Sequence, residues 1–403
     1  MLNNRKNTQI LEGSRAVALS IKNINPGVIS AYPITPQTHI VEDLAKFKAD
    51  GKAKYQYVRA ESEFAAASIV EGASAQGVRT YSATSSQGIL LMTEVLFNIA
   101  GMRLPVVITC ANRGVSAPIT IWNDHQDAMT IRDSGWLMFF AENHQEAVEQ
   151  HILAYKLAEK TNLPAMVNID GFLLTHSYEA VNIPTPTQIK KFLPDYKAKK
   201  NMILDPNQPR TMGAFAPPAY YMEIREELHT DLLSSLPLIK KEYNRYLQLF
   251  GTSKSKSEAQ IDNGLLEYYG PRSPKTVIIA MGSIIGTIKE VVDQKQEKVG
   301  VLKLKTFRPF PSTELKETIK KLGPKYIAVL DKAVSLGQMG PLASDIRSAF
   351  QETIPHLRTS PYHPKIQSFV VGLGGRDIPR SKIREVIKRV KQKDNHIHGT
   401  FVN

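Results

Sequence analysis

One hydroxyl in this sequence is held between two prolines, in the segment YPITPQ at positions 32–37. Each proline fixes its own φ and restricts the residue before it, so Ile34 and Thr35 are rigidly placed. The simplest explanation is a helix cap, in which Thr35 or Thr38 opens the helix that follows. A rigidly held hydroxyl is equally suited to binding a polar ligand, and this stretch alone leaves both functions open.

Other polar groups occur at comparable positions further along the chain. Glu63 opens an alanine-rich segment, Arg113 follows an apolar run, and Asp124 and His125 lie in the loop WNDHQD at 122–127. Carboxylates and imidazoles act in acid–base chemistry, and guanidinium groups bind anions. Each residue also has a simpler explanation, which is a helix-start charge for Glu63, an ion pair for Arg113 and a surface histidine for His125.

The elements that position these groups alternate between strands and helices. Strands are predicted at 28–32, 55–58, 79–83, 105–110 and 165–169, and helices at 41–48, 63–76, 89–100 and 146–160. This alternation is typical of an α/β fold with a parallel sheet covered on both faces. Ligands of such sheets bind beyond the carboxyl ends of the strands, which is where Thr35, Glu63 and Arg113 are expected to lie.

Three regions follow from the same patterns. Residues 1–175 form the first α/β domain, and residues 176–273 form a proline-rich connection with one long helix near 220–250. Alternation resumes in residues 274–403, with strands at 277–280, 299–304, 326–330 and 366–371. The sequence therefore predicts a second, smaller α/β domain at the C-terminus.

Net charge and hydropathy exclude several classes of protein. The 403 residues carry a net charge of +13, and the lysine runs lack interleaved aromatic residues. This distribution favours a solvated face or an acidic partner over nucleic-acid binding. We expect a cytoplasmic protein without a membrane span, because the sequence has neither an 18-residue apolar run nor a signal-peptide core.

The single cysteine, Cys110, ends an apolar run and is predicted to be a buried strand thiol. One cysteine excludes a disulfide within the chain, and also a cysteine-ligated zinc or iron–sulfur site made by this chain alone. No GxGxxG follows a strand and no P-loop is present, since GLGGRD at 372–377 leads into a proline instead of a long helix. The Gly-Asp-Gly pattern that holds a magnesium diphosphate is missing as well.

Several segments together resemble one enzyme family. They are YPITPQ (32–37), ESEFAAASIVEGASAQGVRT (61–80), TSSQGILLMTEVLFNIAGMRLP (84–105), IWNDHQD (121–127), FRPFP (307–311) and GLGGRDI (372–378). In this order they are similar to the α subunits of 2-oxoacid:ferredoxin oxidoreductases, in particular those that act on pyruvate. The resemblance runs from near residue 10 to about residue 380.

The resemblance implies an architecture and a set of partners. The first domain would be the pyrimidine-binding half of a thiamine diphosphate site, and the second a transketolase C-terminal-like domain. Mg²⁺ and the diphosphate half would lie on a β subunit, and [4Fe-4S] clusters on other subunits, including a ferredoxin-like δ subunit beside a γ subunit. The implied reaction is the reversible, coenzyme A-dependent oxidative decarboxylation of pyruvate to acetyl-CoA and CO2, with single electrons passed to ferredoxin.

The resemblance also implies roles for individual residues. Glu63 matches the glutamate that activates thiamine diphosphate through N1′ of its aminopyrimidine, and Glu61 is a near neighbour that could be mistaken for it. Thr35 and Arg113 match the residues that bind the 2-oxoacid. Pro33 and Ile34, with Glu63 and Arg113, would contact the cofactor. Asp124 and His125 would line the site or hold a subunit interface, and no metal ligand is implied.

Three alternatives stay open at the level of sequence. The substrate could be another 2-oxoacid, such as 2-oxoisovalerate or 2-oxoglutarate, because Thr35 and Arg113 do not determine the side chain that is accepted. The chain could belong to an acyl- or ketol-transferring thiamine enzyme that does not use ferredoxin. A non-enzymatic scaffold or nucleic-acid-binding protein is suggested only by the net charge of +13.

Overall fold

The computed structural model describes residues 8–251, 261–351, 364–392 and 398–403. In the first part of the chain the strands are β1 (Thr8–Glu12), β2 (Val28–Ala31), β3 (Gln56–Arg59), β4 (Thr80–Thr84), β5 (Val107–Asn112), β6 (Leu137–Phe140), β7 (Ala165–Asp170) and β8 (Tyr178–Asn182). The helices there are α1 (Gly13–Ile24), α2 (Thr38–Ala49), α3 (Glu63–Ala75), α4 (Ser86–Leu91), α5 (Thr93–Gly101), α6 (Gln126–Thr130) and α7 (His144–Thr161).

A seven-stranded sheet forms the centre of this first part. Its order is β13-β6-β7-β5-β4-β2-β3, where β13 is Thr306–Arg308 from later in the chain, and the six strands from β6 to β3 run parallel. Every residue of β4, β5 and β7 is buried, as expected for parallel strands covered by helices on both faces. The predicted parallel α/β fold is thus confirmed, and Cys110 is a buried thiol of β5 whose pKa is raised by that burial.

The connecting region is built around one long helix. It contains α8 (Pro186–Phe192) and α9 (Pro218–Phe250), so the predicted long helix is confirmed. The C-terminal half of α9 buries Tyr243, Tyr246 and Phe250, whereas the first turns leave Tyr220 and Met222 exposed. In the ranges that the structure describes, no helix has both the length and the apolarity that a bilayer crossing requires.

The second part of the chain forms another seven-stranded sheet. Its strands are β9 (Ile261–Asp262), β10 (Leu266–Tyr269), β11 (Thr276–Ala280), β12 (Val299–Leu304), β14 (Tyr326–Asp331), β15 (Lys365–Val370) and β16 (Thr400–Phe401). Its helices are α10 (Ile284–Asp293), α11 (Ser312–Leu322), α12 (Pro341–Gln351) and α13 (Arg380–Arg389). The order is β16-β15-β14-β11-β12-β10-β9, in which β10 pairs antiparallel with both β12 and the edge strand β9.

One strand joins the two parts. Strand β13 lies between β12 and β14 of the second sheet in sequence but pairs antiparallel with β6 of the first, opposite Phe139 and Met138. The sequence patterns predicted neither β6 nor this pairing, because a four-residue apolar strand has no distinctive period. The proposed division of the chain at residues 175 and 273 stays a prediction. Strand β13 lies beyond residue 273 and nevertheless belongs to the first sheet.

Candidate active site

The loop after β2 carries Thr35 and is held by a buried glutamine. Gln37 Nε2 donates to the Ala83 carbonyl oxygen at 2.6 Å, and Gln37 Oε1 accepts from the Ile34 N–H at 3.3 Å. Gln37 occupies the cap position of α2 without a side-chain cap hydrogen bond, so neither Thr35 nor Thr38 caps this helix. The Thr35 side chain is exposed and its hydroxyl has no partner among the described residues, which leaves it available to a ligand.

Arg113 follows β5 and is fastened to the same loop. Its Nη1 donates to the Thr35 carbonyl oxygen at 3.0 Å, and its Nε donates to the Thr120 carbonyl oxygen at 2.6 Å. Within the described ranges the guanidinium has no carboxylate partner, and Nη2 makes no hydrogen bond. Arg113 is buried, and this burial lowers its pKa. A desolvated guanidinium with a spare donor is well suited to an anionic ligand.

Glu63 is the first residue of α3 and is only 7% exposed. The helix is capped instead by Ser62, whose side chain accepts from the Ala65 N–H. A Cβ at Gly88 would lie 2.8 Å from Glu63 Oε1 and 2.3 Å from Thr84 Oγ1, so only glycine leaves room beside this carboxyl group. Glu63 is therefore not the exposed helix-start charge of the simpler explanation.

Asp127 fixes the backbone of the segments that carry these groups. Its carboxylate accepts from the N–H groups of Ser86 (3.0 Å), Arg113 (2.9 Å) and Ala128 (2.7 Å), and from Asn112 Nδ2 (3.0 Å). Asp127 is completely buried, and this burial raises its pKa although the four hydrogen bonds favour the charged form. It ties the turn after β4 to the end of β5 and acts as a positioning residue.

Asp124 and His125 lie where the two α/β parts of the chain meet. Asp124 Oδ2 accepts from the Gly374 N–H at 2.9 Å, and His125 Nε2 lies 2.7 Å from Asp170 Oδ1. Both residues are buried, so His125 is not a surface histidine. Burial raises the pKa of Asp124 to about 6. The motif at 121–127 and the glycine-rich segment at 372–378 therefore contact each other directly.

Asp170, the last residue of β7, is the centre of this contact. Its Oδ2 accepts from Lys332 Nζ at 2.8 Å and from the Ser283 N–H at 3.0 Å, and both donors belong to the second sheet. Burial alone would raise the pKa of Asp170, but the Lys332 ammonium and the His125 ring hold it well below its usual range. Lys332 also lines a cleft of ≈ 730 Å³ between the two parts, together with Asn123.

Four residues important to this geometry were not predicted as site residues. They are Gln37, Gly88, Asp127 and Asp170. Gln37 and Asp127 lie inside the quoted motifs, and Asp170 directly follows an apolar run. A polar residue in a motif or at a strand end was the sequence feature that could have indicated them. The structure brings Thr35 and Arg113 into direct contact. On the Glu63 side of the sheet edge, Ser86 Oγ donates to the Gly114 carbonyl oxygen at 2.6 Å.

Comparisons with known proteins show the family to which this chain is related. A family model described as the thiamine diphosphate-binding domain of pyruvate flavodoxin/ferredoxin oxidoreductase matches residues 20–244. A second model, pyruvate:ferredoxin oxidoreductase core domain II, matches residues 275–383. The chain belongs to the pyruvate:ferredoxin oxidoreductase family. Within this family, the first sheet corresponds to the thiamine diphosphate-binding domain, and the resemblance stated from the motifs is confirmed.

Relatives of known name extend over nearly the whole chain. Pyruvate synthase subunit PorA of Methanosarcina barkeri is 45% identical over 394 residues, which cover 96% of this chain and 94% of the relative. Ketoisovalerate oxidoreductase subunit VorA of Pyrococcus horikoshii is 37% identical, with 95% and 94% covered.

A solved structure shares the fold of this family member. It is that of 2-oxoglutarate:ferredoxin oxidoreductase from Magnetococcus marinus with 2-oxoglutarate, coenzyme A and succinyl-CoA bound. The TM-score is 0.70 at 21% identity, and the match covers 96% of this chain and 66% of the other. The likeness extends through both α/β parts, which confirms the predicted fold class.

Proposed function

We propose that this chain is the α subunit of a pyruvate synthase, which interconverts pyruvate and coenzyme A with acetyl-CoA and CO2 by passing single electrons to or from ferredoxin. The observation that carries the substrate assignment is the 45% identity to a pyruvate synthase subunit, against 37–38% to two ketoisovalerate oxidoreductase subunits. The alternative, an α subunit for 2-oxoisovalerate or 2-oxoglutarate, uses the same strand-end residues and differs in the acyl pocket.

The surroundings of Glu63 fit the pyrimidine half of thiamine diphosphate. Glu63 is 7% exposed and its carboxyl group has no hydrogen-bond partner among the described residues, while Thr84 Oγ1 beside it is buried and unpaired. Gly88 leaves open the space that a side chain would fill. When bound, thiamine diphosphate supplies the carbon nucleophile that attacks the 2-oxoacid. Glu63 would hold a proton at the pyrimidine N1′, and Pro33, Ile34 and Arg113 would border the ring.

Thr35 and Arg113 are proposed to bind the 2-oxoacid. The hydroxyl of Thr35 and Nη2 of Arg113 are both unpaired within the described residues, and Nη1 of Arg113 holds the Thr35 backbone at 3.0 Å. A charge-assisted bond from Arg113 to the substrate carboxylate contributes about 1.5–3 kcal/mol in such a desolvated site. Because that carboxylate leaves as CO2, Arg113 must orient it without binding it too tightly.

Partner subunits would complete the site. The exposed large apolar side chains near the strand ends include Tyr32, Phe64, Ile119, Trp122 and Leu173, and Ile119 is 82% exposed. A surface of this kind is typical of an interface. We assign it to the β subunit that carries the diphosphate half and Mg²⁺, and we assign the [4Fe-4S] clusters to the γ and δ subunits because this chain has one cysteine.

The test is 2-oxoacid-dependent reduction of a one-electron acceptor by the copurified complex with coenzyme A. Pyruvate, 2-oxobutyrate, 2-oxoisovalerate and 2-oxoglutarate are compared for wild type, Glu63→Gln and Glu61→Gln. Glu61 is exposed and two residues away, so Glu61→Gln is a matched control. We expect pyruvate-selective activity that falls at least 100-fold in Glu63→Gln, in line with loss of a positioned proton-transfer group, and persists in the control.

Two results would contradict the proposal in different ways. A complex that prefers 2-oxoisovalerate or 2-oxoglutarate would support the alternative substrate while leaving the site intact. Full activity in Glu63→Gln, or loss in Glu61→Gln alone, would mean that the cofactor-activating carboxylate has been misplaced. Copurification of a cysteine-rich subunit distinguishes both from a thiamine enzyme that does not use ferredoxin.

A further inference from the structure

We propose that Glu12, His39 and His176 form a binding site for a divalent transition-metal ion, with Zn²⁺ as the best match. One ligand atom from each residue lies within 4.8 Å of the other two. Among the residues that the structure describes, this is the one such group of three. The site lies outside the strand-end groups that serve the proposed reaction, and it does not depend on that function.

The fold brings these three residues together from distant parts of the chain. Glu12 ends β1, and the antiparallel pairing of Glu12 with Tyr178 of β8 brings it close to His176. His39 is the second residue of α2 and extends from there toward both. Glu12 and His39 are 27 residues apart, and His39 and His176 are 137 residues apart. The three residues therefore form no local metal-binding motif in the sequence.

The donor groups lie close together and contact one another directly. His39 Nδ1 lies 2.7 Å from Glu12 Oε1, and the two imidazole rings have centroids 4.6 Å apart. His176 Nδ1 lies 2.6 Å from Thr175 Oγ1, which leaves Nε2 of that ring to bind a metal. Thr175 Oγ1 is itself held by the Phe172 N–H at 2.7 Å. A hydrogen bond to the second ring nitrogen is the usual way in which a metal-binding histidine is oriented.

The types of ligand atom determine which metal ion the site prefers. Two imidazole nitrogens and one carboxylate oxygen suit borderline ions such as Zn²⁺, and three protein ligands leave a fourth position for water. The metal would take the place of the hydrogen bond between His39 Nδ1 and Glu12 Oε1. The His39 side chain is 47% exposed, which gives the ion access.

A bound ion would brace the loop that carries Thr35. His39 is four residues from Thr35, and the ring of His176 packs on Phe172 at 4.7 Å. Phe172 in turn packs on Trp122 at 4.7 Å. The preceding residue, Gly171, is so close to Pro36 that a Cβ would lie 2.5 Å from its ring. The ion thus ties the start of α2 to the turn after β7, and both segments border the candidate active site.

The test measures the zinc content of the copurified complex by inductively coupled plasma mass spectrometry. This method distinguishes zinc from the iron of clusters on other subunits. The complex is freed of loosely bound metal with a chelator, incubated with a small excess of ZnCl2 and desalted. We expect the wild type to retain about one more zinc per copy of this chain than His39→Gln or His176→Gln. His229→Gln alters an exposed histidine on α9 and should match the wild type.

A second measurement does not depend on the variants. Zn²⁺ should raise the melting temperature of the wild-type complex, a chelator should reverse the shift, and the shift should vanish in His176→Gln. Equal zinc content in wild type and His176→Gln, or an equal thermal shift in both, would overturn the site. Because neither readout uses turnover, they stay informative even if the proposed activity is wrong.

Discussion

At the scale of single residues, the carboxyl groups of this protein differ by their surroundings. Glu63 is buried beside Gly88 without a hydrogen-bond partner in the described part of the chain. Asp127 accepts hydrogen bonds from four nitrogen donors and from Cys110 Sγ, and Asp170 is bonded to the Lys332 ammonium and the His125 ring. A carboxyl group without a partner in the protein is free to bond to a ligand, whereas fully bonded ones position their neighbours. Glu63 is thus the carboxyl group suited to a cofactor.

The space beside Glu63 gives a prediction about Gly88→Ala. The added Cβ would lie 2.3 Å from Thr84 Oγ1 and 2.8 Å from Glu63 Oε1, so the carboxyl group must move. We expect the thiamine diphosphate concentration for half-maximal activity to rise at least tenfold, with a loss of about 1–3 kcal/mol in unfolding free energy. Gly72→Ala on α3 is the control, since nothing lies within 4 Å of its Cβ and activity should be unchanged. Unaltered cofactor affinity in Gly88→Ala would exclude this location of the pyrimidine.

The raised pKa of Asp124 predicts a pH dependence of stability. Its folded-state pKa is about 6 against 3.8 for an exposed aspartate, so the protonated form is favoured by folding. The stability that it contributes is complete below about pH 4 and is lost as the pH rises through 6, by roughly 1–3 kcal/mol. Asp124→Asn should flatten that part of the profile, measured by denaturant unfolding from pH 4.5 to 8. A constant difference between wild type and variant would contradict it.

At the scale of elements, the strand-end loops are fixed by side chains that lie beneath them. Gln37 holds the Thr35 loop on the end of β4, and Asp127 holds the turn after β4 on the end of β5. Loops fixed in this way lose little conformational entropy when a ligand binds. The rigidity that the two prolines of YPITPQ indicate is therefore completed by contacts from outside the loop.

This support gives a prediction about Gln37→Ala. The substitution removes the amide that donates to the Ala83 carbonyl oxygen at 2.6 Å and leaves that oxygen buried, at a cost of about 1–3 kcal/mol. We expect kcat/KM for pyruvate to fall about tenfold, mainly through KM, because Thr35 becomes mobile. Gln76→Ala, at an exposed site at the end of α3, should have no effect. A change in kcat alone would argue against a positioning role of Gln37.

At the scale of the whole molecule, the carboxyl ends of the two sheets face each other. Asp170 and His125 of the first part meet Lys332 and Ser283 of the second, and β13 adds backbone pairing. A second buried ionic group joins Lys303 to Glu142 at 2.7 Å. Removing one member of such a pair is strongly destabilising, while removing both is much less so.

A double-mutant cycle at Asp170 and Lys332 tests this contact. Each single substitution, Asp170→Asn or Lys332→Met, is expected to lower the unfolding free energy by about 3–5 kcal/mol, because it leaves a buried charge unpaired. The double variant should lose clearly less than the sum. Arg380→Met is the control, because its ion pair with Glu290 is exposed and its loss should hardly move the midpoint. Additive losses would show that the pair is not coupled.

Local properties of the sequence were sufficient to predict the fold class and to propose that the candidate residues follow strands of one sheet. The alternation of apolar runs and helical patterns predicted the parallel sheets, and polar residues after strands predicted that Thr35, Glu63 and Arg113 share one edge. The long helix and the buried Cys110 were predicted in the same way. These features depend on periodicity and on the geometry common to all parallel sheets, so they need no knowledge of distant contacts.

Only the tertiary structure decided which distant groups become partners. Asp170 and Lys332 are separated by 162 residues, and Asp124 and Gly374 by 250. The pairing of β13 with β6 and the cluster of Glu12, His39 and His176 likewise have no local signature. Such contacts arise when whole elements pack, and their charges are stabilised only where burial and a partner coincide. The sequence therefore determined which groups are present at each strand end, and the packing determined what each of them faces.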